Sequence, residues 1–262
     1  MLAKYQIKYL SSLKLKKNRT LNNEFTIEGT RIVTESIKAM SNSTRNYSIE
    51  KIIISNSFEI DKKNASFIKK INKSYNIEKI SNDNMSKISN VSTPPGIIAL
   101  IKQKSQNKFS NNGPILLLDD ISNPGNLGTI LRSAEWFGIK HVYLSENTVD
   151  PYNSKTIQSA AGAHFYLSGI IQTDLIDVIN FYKKYNFQII GTSLNGCNIN
   201  SMNINNNWAL ILGNEGHGIS KEINKYIDKS ITIDKFGNIE SLNVAMAGSI
   251  ILSKLMNRKG NV

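Results

Sequence analysis

Hydrophobic positions along this chain fall into short blocks of two alternating periods. Tyr5, Tyr9, Leu10 and Leu13 recur at helical spacing between lysines over residues 5–17. Phe25-Thr26-Ile27-Glu28-Gly29 predicts a short strand ended by glycine, and Ile32, Val33, Ile37 and Met40 predict a helix from Thr30 to Met40. Residues 51–55 (KIIIS) read as a buried strand, 65–74 as a helix, and 77–80 and 97–101 as strands. The turn Thr93-Pro94-Pro95-Gly96 precedes the last of these. This alternation predicts a small α/β domain over residues 1–102. Residues 103–113 are polar and aperiodic, as expected of a linker.

A second series begins at Ile115-Leu116-Leu117-Leu118, a continuous apolar run of the kind buried on both faces of a parallel sheet. Helices are predicted over 129–137, 175–182 and 242–256, and strands over 142–144, 188–191, 209–213 and 231–233. These elements predict a second α/β domain over residues 114–262 with a mostly parallel sheet. No internal repeat is visible.

Composition narrows the class. The chain has 262 residues, 40% hydrophobic and 20% charged, which suits a globular protein of two domains. Lys and Arg number 32 against 20 Asp and Glu, a net charge of +12, which excludes an acidic solvating protein and points to an anionic partner. Residues 1–105 carry 19 basic and 8 acidic residues, so nearly all the excess is N-terminal. Lys14, Lys16, Lys17 and Arg19 form its densest cluster, suited to phosphate contacts that raise affinity without reading sequence. One cysteine, Cys197, excludes a disulfide framework, and three scattered histidines leave no expected metal site. No apolar run nears the ~18 residues of a membrane span, and the first residues make a poor signal peptide, so a cytoplasmic protein is expected.

Three segments carry candidate chemistry. In Leu118–Ala134 a buried strand feeds Asn123-Pro124-Gly125 and a helix, with Asn126 and Arg132 at its start. Ligands of open α/β sheets bind at such strand ends, and a guanidinium can hold a phosphate with two prongs. By spacing alone the pair reads more simply as a capping Asn and a surface Arg. In Leu210–Ile219 three glycines surround Glu215 and His217. Glycines there allow close approach of a ligand to backbone. His217 has no evident partner and reads as a solvated loop residue. In Ile231–Ala247, Ser241 is a natural N-cap, Asn243 falls in the first helical turn, and the small residues Ala245, Ala247, Gly248 and Ser249 permit close packing or an interface.

Taken in order, NPGNLGTILRSA, LILGNEGHG and GNIESLNVAMA resemble the three motifs of the SpoU (TrmH-type) RNA 2′-O-ribose methyltransferases of the SPOUT superfamily. The similarity spans roughly residues 112–258, including Asp150–Lys155 and Ala161-Gly162-Ala163. Phe25–Arg31 resembles the substrate-binding domain that precedes the catalytic domain in members acting on ribosomal RNA. The resemblance implies an α/β fold class: a small N-terminal substrate-binding domain and a C-terminal parallel-sheet domain closed by a trefoil knot. It implies an S-adenosyl-L-methionine cofactor, an RNA substrate, a homodimer, and no metal. The family's catalytic residues fall on Asn126, Arg132, Glu215, Ser241 and Asn243. Its cofactor contacts fall on Thr192, Gly213, Ile233 and Leu242. Departures are Ile233-Asp234-Lys235 where the family commonly has Ile-Pro-Met, Pro94-Pro95-Gly96 for Pro-Gln-Gly, and Gln158 where many members carry arginine.

The implied reaction is methylation of a ribose 2′-hydroxyl, with 23S ribosomal RNA expected as substrate. Transfer RNA methylation and a non-catalytic RNA-binding role in ribosome assembly are the alternatives. Arg132 is expected to orient RNA through a phosphate rather than to act as a free base, because a guanidinium resists deprotonation.

Overall fold

The structure, a computed structural model, describes residues 2–41, 46–104, 109, 113–201 and 203–257. Of the expected linker, residues 105–108 and 110–112 lie outside the described residues. The chain forms two compact units: Met1–Ser105 with Tyr152–Phe165, and Gln106–Pro151 with Tyr166–Val262.

In chain order the first part comprises α1 (Lys4–Ser12), α2 (Lys16–Asn22), β1 (Glu24–Glu28), α3 (Thr30–Met40), β2 (Tyr47–Ser55), α4 (Asn56–Ile60), α5 (Ala65–Ile71), β3 (Ile77–Ile80), α6 (Asn82–Ile88) and β4 (Ile97–Gln103). The rest comprises β5 (Ile115–Leu118), α7 (Pro124–Trp136), β6 (His141–Leu144), α8 (Ser154–Ala160), β7 (Gly169–Gln172), α9 (Leu175–Lys183), β8 (Gln188–Asn198), β9 (Trp208–Leu212), α10 (Lys221–Asn224), β10 (Lys229–Thr232) and α11 (Val244–Asn257).

The first unit is built on a mixed sheet of order β1-β4-β2-β3, in which only β2 and β3 run parallel. Alternation along β2 and β4 sends Ile53, Ile98 and Leu100 to one face, where Leu10, Leu13, Met85 and Ile88 of the α1–α2 and α6 region cover them. Gly29 turns the chain from β1 into α3 at φ +98°, a conformation that side chains disfavour. The segment 152–165 lies between β6 and β7 in sequence but joins this first unit. There Tyr152 and Phe165 pack with Phe25 and Tyr47, and the Tyr47 and Tyr152 hydroxyls are 3.0 Å apart.

The single helical stretch expected over residues 5–17 is two helices. Leu15 is extended, and the buried Arg19 explains the break: its Nη1 donates to the carbonyls of Leu13 (2.8 Å) and Lys14 (2.7 Å) at the end of α1. Arg19 is thus a backbone clamp and not part of the expected phosphate-binding cluster.

The second unit holds a six-stranded, all-parallel sheet of order β10-β8-β9-β5-β6-β7. β5 and β9 are central and wholly buried, which accounts for their unbroken apolar sequences. One face packs on α9 through Tyr143, Val178, Ile179, Tyr182 and Ile211. Phe109, within the expected linker, stacks on Phe181 with ring centroids 4.2 Å apart. On α11, Gly248 leaves room for Leu212 of β9, and Ser249 hydrogen-bonds Ser133 of α7 at 2.7 Å. The small residues of α11 therefore serve close helix packing within the unit.

Candidate active site

The site is assembled where β5 and β9 end side by side. Beyond β5, Asp119 accepts from the backbone N–H of Ser220 (2.8 Å), and Asp120 adopts a left-handed φ of +57°. That strained backbone is held from both sides: Asp120 N–H donates to Ser145 Oγ (2.8 Å), and its carbonyl accepts from Asn214 Nδ2 (2.7 Å). Asn123 then caps α7, its Oδ1 accepting from the N–H groups of Gly125 and Asn126. The helix begins at Pro124, not at residue 129 as its apolar period suggested. Proline at the first helical position loses no hydrogen bond, and the cap compensates for the two glycines that follow.

Beyond β9 the chain folds into a tight hairpin in which Asn214 and Gly218 exchange backbone hydrogen bonds (2.9 and 3.1 Å). Gly213 is required at its base. A Cβ there would sit 2.3 Å from the backbone of Gly218 and Ile219. The hairpin presents Glu215 to the start of α7. Its carboxylate accepts from Asn126 Nδ2 (2.8 Å), Ser122 Oγ (3.0 Å) and the N–H groups of Ser122 and Asn123 (both 3.3 Å). Burial pushes the carboxyl pKa up, but the hydrogen bonds from Asn126, its own backbone and Ser122 outweigh it and hold it below the ordinary range. Glu215 is therefore a fixed negative charge at neutral pH.

Asn243 completes the chain of contacts, donating from Nδ2 to Asn126 Oδ1 at 2.9 Å. Its own Oδ1 accepts from the N–H groups of Ala245 and Met246, so Asn243, and not Ser241, caps α11. Three residues from three sequence segments, Glu215, Asn126 and Asn243, thus form one continuous hydrogen-bonded line. Arg132 lies outside that line, exposed on α7. Ser241 is also exposed, two residues before the cap.

Of the remaining predicted residues, Thr192, Gly213 and Ile233 lie at the ends of the paired part of β8, of β9 and of β10. Thr192 lies where β8 parts from β9, its hydroxyl 3.4 Å from the Ile211 carbonyl. Here the partner of β10 jumps from Gly191 to Cys197. Ile233 follows β10 and is half-buried, and Leu242 is 43% exposed. Sequence reasoning missed Ser122, Asn123 and Asn214, which position Glu215. The Asn-Pro pair ahead of α7 was the signal available for Asn123. His217 does have a partner: its Nε2 lies 3.5 Å from Asp120 Oδ2.

Comparison with known proteins gives two family matches along the chain. Residues 113–253 match the family described as SpoU rRNA Methylase, and residues 4–99 match the MRM3-like substrate binding domain. This chain belongs to the SpoU rRNA methylase family. It is 30% identical, over 95% of both chains, to the 23S rRNA (guanosine(2553)-2′-O)-methyltransferase RlmP of Bacillus subtilis. Among solved structures, a putative RNA methyltransferase of the TrmH family from Porphyromonas gingivalis shares 28% identity and a TM-score of 0.83, covering 98% of this chain and 99% of that one. The SpoU methyltransferase AviRb of Streptomyces viridochromogenes, in complex with AdoMet, shares the fold at 19% identity and TM-score 0.84, covering 99% of each chain. The TrmH/SpoU tRNA modifying enzyme of A. aeolicus shares 26% identity with TM-score 0.51, covering 59% of this chain and 77% of that one.

Proposed function

We propose that this SpoU-family protein is an S-adenosylmethionine-dependent 2′-O-ribose methyltransferase acting on 23S ribosomal RNA in the cytoplasm. The observation that carries the reading is the Glu215–Asn126–Asn243 line, which joins all three family segments at the carboxyl ends of the central strands. Ribosomal RNA is favoured over transfer RNA because the 23S rRNA relative RlmP matches along nearly the whole chain, whereas the tRNA modifying enzyme covers 59% of it.

The residues present fit the cofactor. Thr192, Gly213 and Ile233 would offer backbone groups beside the strand ends and Leu242 an exposed apolar side chain, suited to an uncharged adenosine. When bound, S-adenosylmethionine supplies a methyl group made electrophilic by its sulfonium. The chain's own residues position the nucleophile. Arg132 holds an RNA phosphate through the two prongs of its guanidinium. Asn126, locked by Glu215 on one side and Asn243 on the other, holds the ribose in a fixed orientation. For a weak nucleophile such as a hydroxyl, that positioning supplies much of the rate.

Two further features belong to this reading. The C-terminal parallel-sheet domain would be closed by a trefoil knot. A homodimer would cover the apolar stripe of Met246 (63% exposed) and Ile250 on α11, with Trp136 at the end of α7. The reading is tested by incubating purified protein, a methyl-labelled donor and 23S rRNA from cells lacking the gene. One nucleotide should acquire a 2′-O-methyl group. Absence of label, or label on a base, would refute it.

A further inference from the structure

The first 23 residues carry six basic residues and no acid, half of the chain's net charge. The structure separates their roles. Arg19 is turned inward as the clamp on the α1–α2 corner. Lys4, Lys8, Lys14, Lys16 and Lys17 are all exposed, and none forms an ion pair among the described residues. Several acids of the first unit are engaged with other lysines: Glu35 with Lys38, Glu78 with Lys51, Glu59 with Lys79. Glu24, the first acid in the chain, is taken by the Tyr9 hydroxyl and Lys102. Glu28 is taken by Ser89 and Asn90. Among the described residues no ion pair neutralises the five lysines of this corner.

Its backbone is also fixed. Besides the Arg19 contacts, Asn18 Nδ2 donates to the Ser12 carbonyl at 2.9 Å. Leu10 and Leu13 are buried against the sheet, so the opposite face of α1, with Lys4, Tyr5 and Lys8, points away from it. Lys16 and Lys17 lie on the exposed face of α2. Tyr5, 73% exposed, is an aromatic ring set between lysines. A rigid row of compact positive charges with one exposed ring suits a polynucleotide backbone and an unpaired base. It suits a membrane poorly, since the apolar face that would enter lipid is buried in the core.

We propose that the outward faces of α1 and α2 form the surface on which this protein grips the phosphodiester backbone of its RNA, remote in sequence from the methyl-transfer motifs. The inference rests on the proposed function only in taking RNA as the substrate.

The test measures Kd for transcribed 23S rRNA between 50 and 300 mM KCl for the full-length protein. The triple variant Lys14→Gln/Lys16→Gln/Lys17→Gln should lower the slope of log Kd against log salt by about two, at ~0.7–0.9 for each phosphate that is no longer neutralised. Lys4→Gln/Lys8→Gln should lower it by about one to two, by the same rule. A control triple at the paired lysines, Lys38→Gln/Lys51→Gln/Lys79→Gln, should leave it unchanged. Affinity for the methyl donor, measured calorimetrically, should match wild type throughout, and unchanged thermal melting should report that the variants are folded. An unchanged slope in both test variants, with the wild type still binding RNA, overturns this surface while leaving the proposed function standing. A wild type that binds anionic phosphatidylglycerol vesicles but no RNA overturns both.

Discussion

Asn126 and Glu215, 89 residues apart in sequence, are joined by a 2.8 Å hydrogen bond from Nδ2 to Oε1. The bond fixes which way the Asn126 carboxamide faces, because its oxygen must then take the donor from Asn243. Replacing Asn126 with Asp sets a second carboxylate against Glu215, and like charges at that separation repel. We expect Asn126→Asp to lower methyl transfer at least 100-fold, while Asn126→Ala costs about 1 kcal/mol of stability through the lost hydrogen bonds. Labelled-methyl incorporation and thermal melting check the two values.

Arg132 stands apart from that line on the exposed side of α7, so its removal should leave the scaffold intact. Arg132→Ala is expected to abolish methyl transfer with donor affinity unchanged. Arg132→Lys should recover little, because a single ammonium cannot reproduce a two-pronged phosphate grip. Near-normal turnover in either variant would remove Arg132 from the mechanism.

Two glycines offer a contrast. Gly213→Ala drives a methyl group into hairpin backbone, which has nowhere to go, and should cost about 3 kcal/mol or more and disorder Glu215. Gly248→Ala meets the end of the Leu212 side chain, which can rotate, and should cost no more than about 1 kcal/mol. Denaturant unfolding curves for the pair would reveal whether the order is reversed.

His141 lies buried at the start of β6, with no hydrogen-bond partner for Nδ1 among the described residues. Burial pushes its pKa below the ordinary 6.5. The unfolded chain then takes up a proton that the folded protein refuses, so stability should fall as pH drops below 6.5, by at most about 1.4 kcal/mol per pH unit. His141→Phe should flatten that part of the stability–pH curve. A wild-type melting temperature that holds steady from pH 7 to 5 would contradict this.

The dimer proposed at the α11 stripe predicts that Met246→Asp/Ile250→Asp yields a monomer. Light scattering after gel filtration would show half the wild-type mass. An unaltered mass would place the contact elsewhere.

By itself the sequence determined the class of fold and most of its strands and longer helices, while the short α4, α6, α8 and α10 and the edge strand β7 left no periodic signal long enough to read. The central strands β5 and β9 are legible because burial on both faces demands an unbroken apolar run, and α3 and α9 because one buried stripe imposes a helical period. Glu215, Asn126 and Asn243 were legible as residue types in family motifs. Tertiary structure alone decided how they act together, because a hydrogen bond across 89 or 117 residues leaves no periodic trace in the chain. It also settled where α7 and α11 begin, since a cap is a matter of which side chain reaches a free N–H, and Asn243 reaches where Ser241 does not. The same holds for Arg19, basic in composition yet spent on two carbonyls, and for residues 152–165, which fold with the first unit because their aromatic rings are buried there. Local periodicity encodes which face of an element is apolar; which distant polar groups meet depends on how the strands are ordered in space.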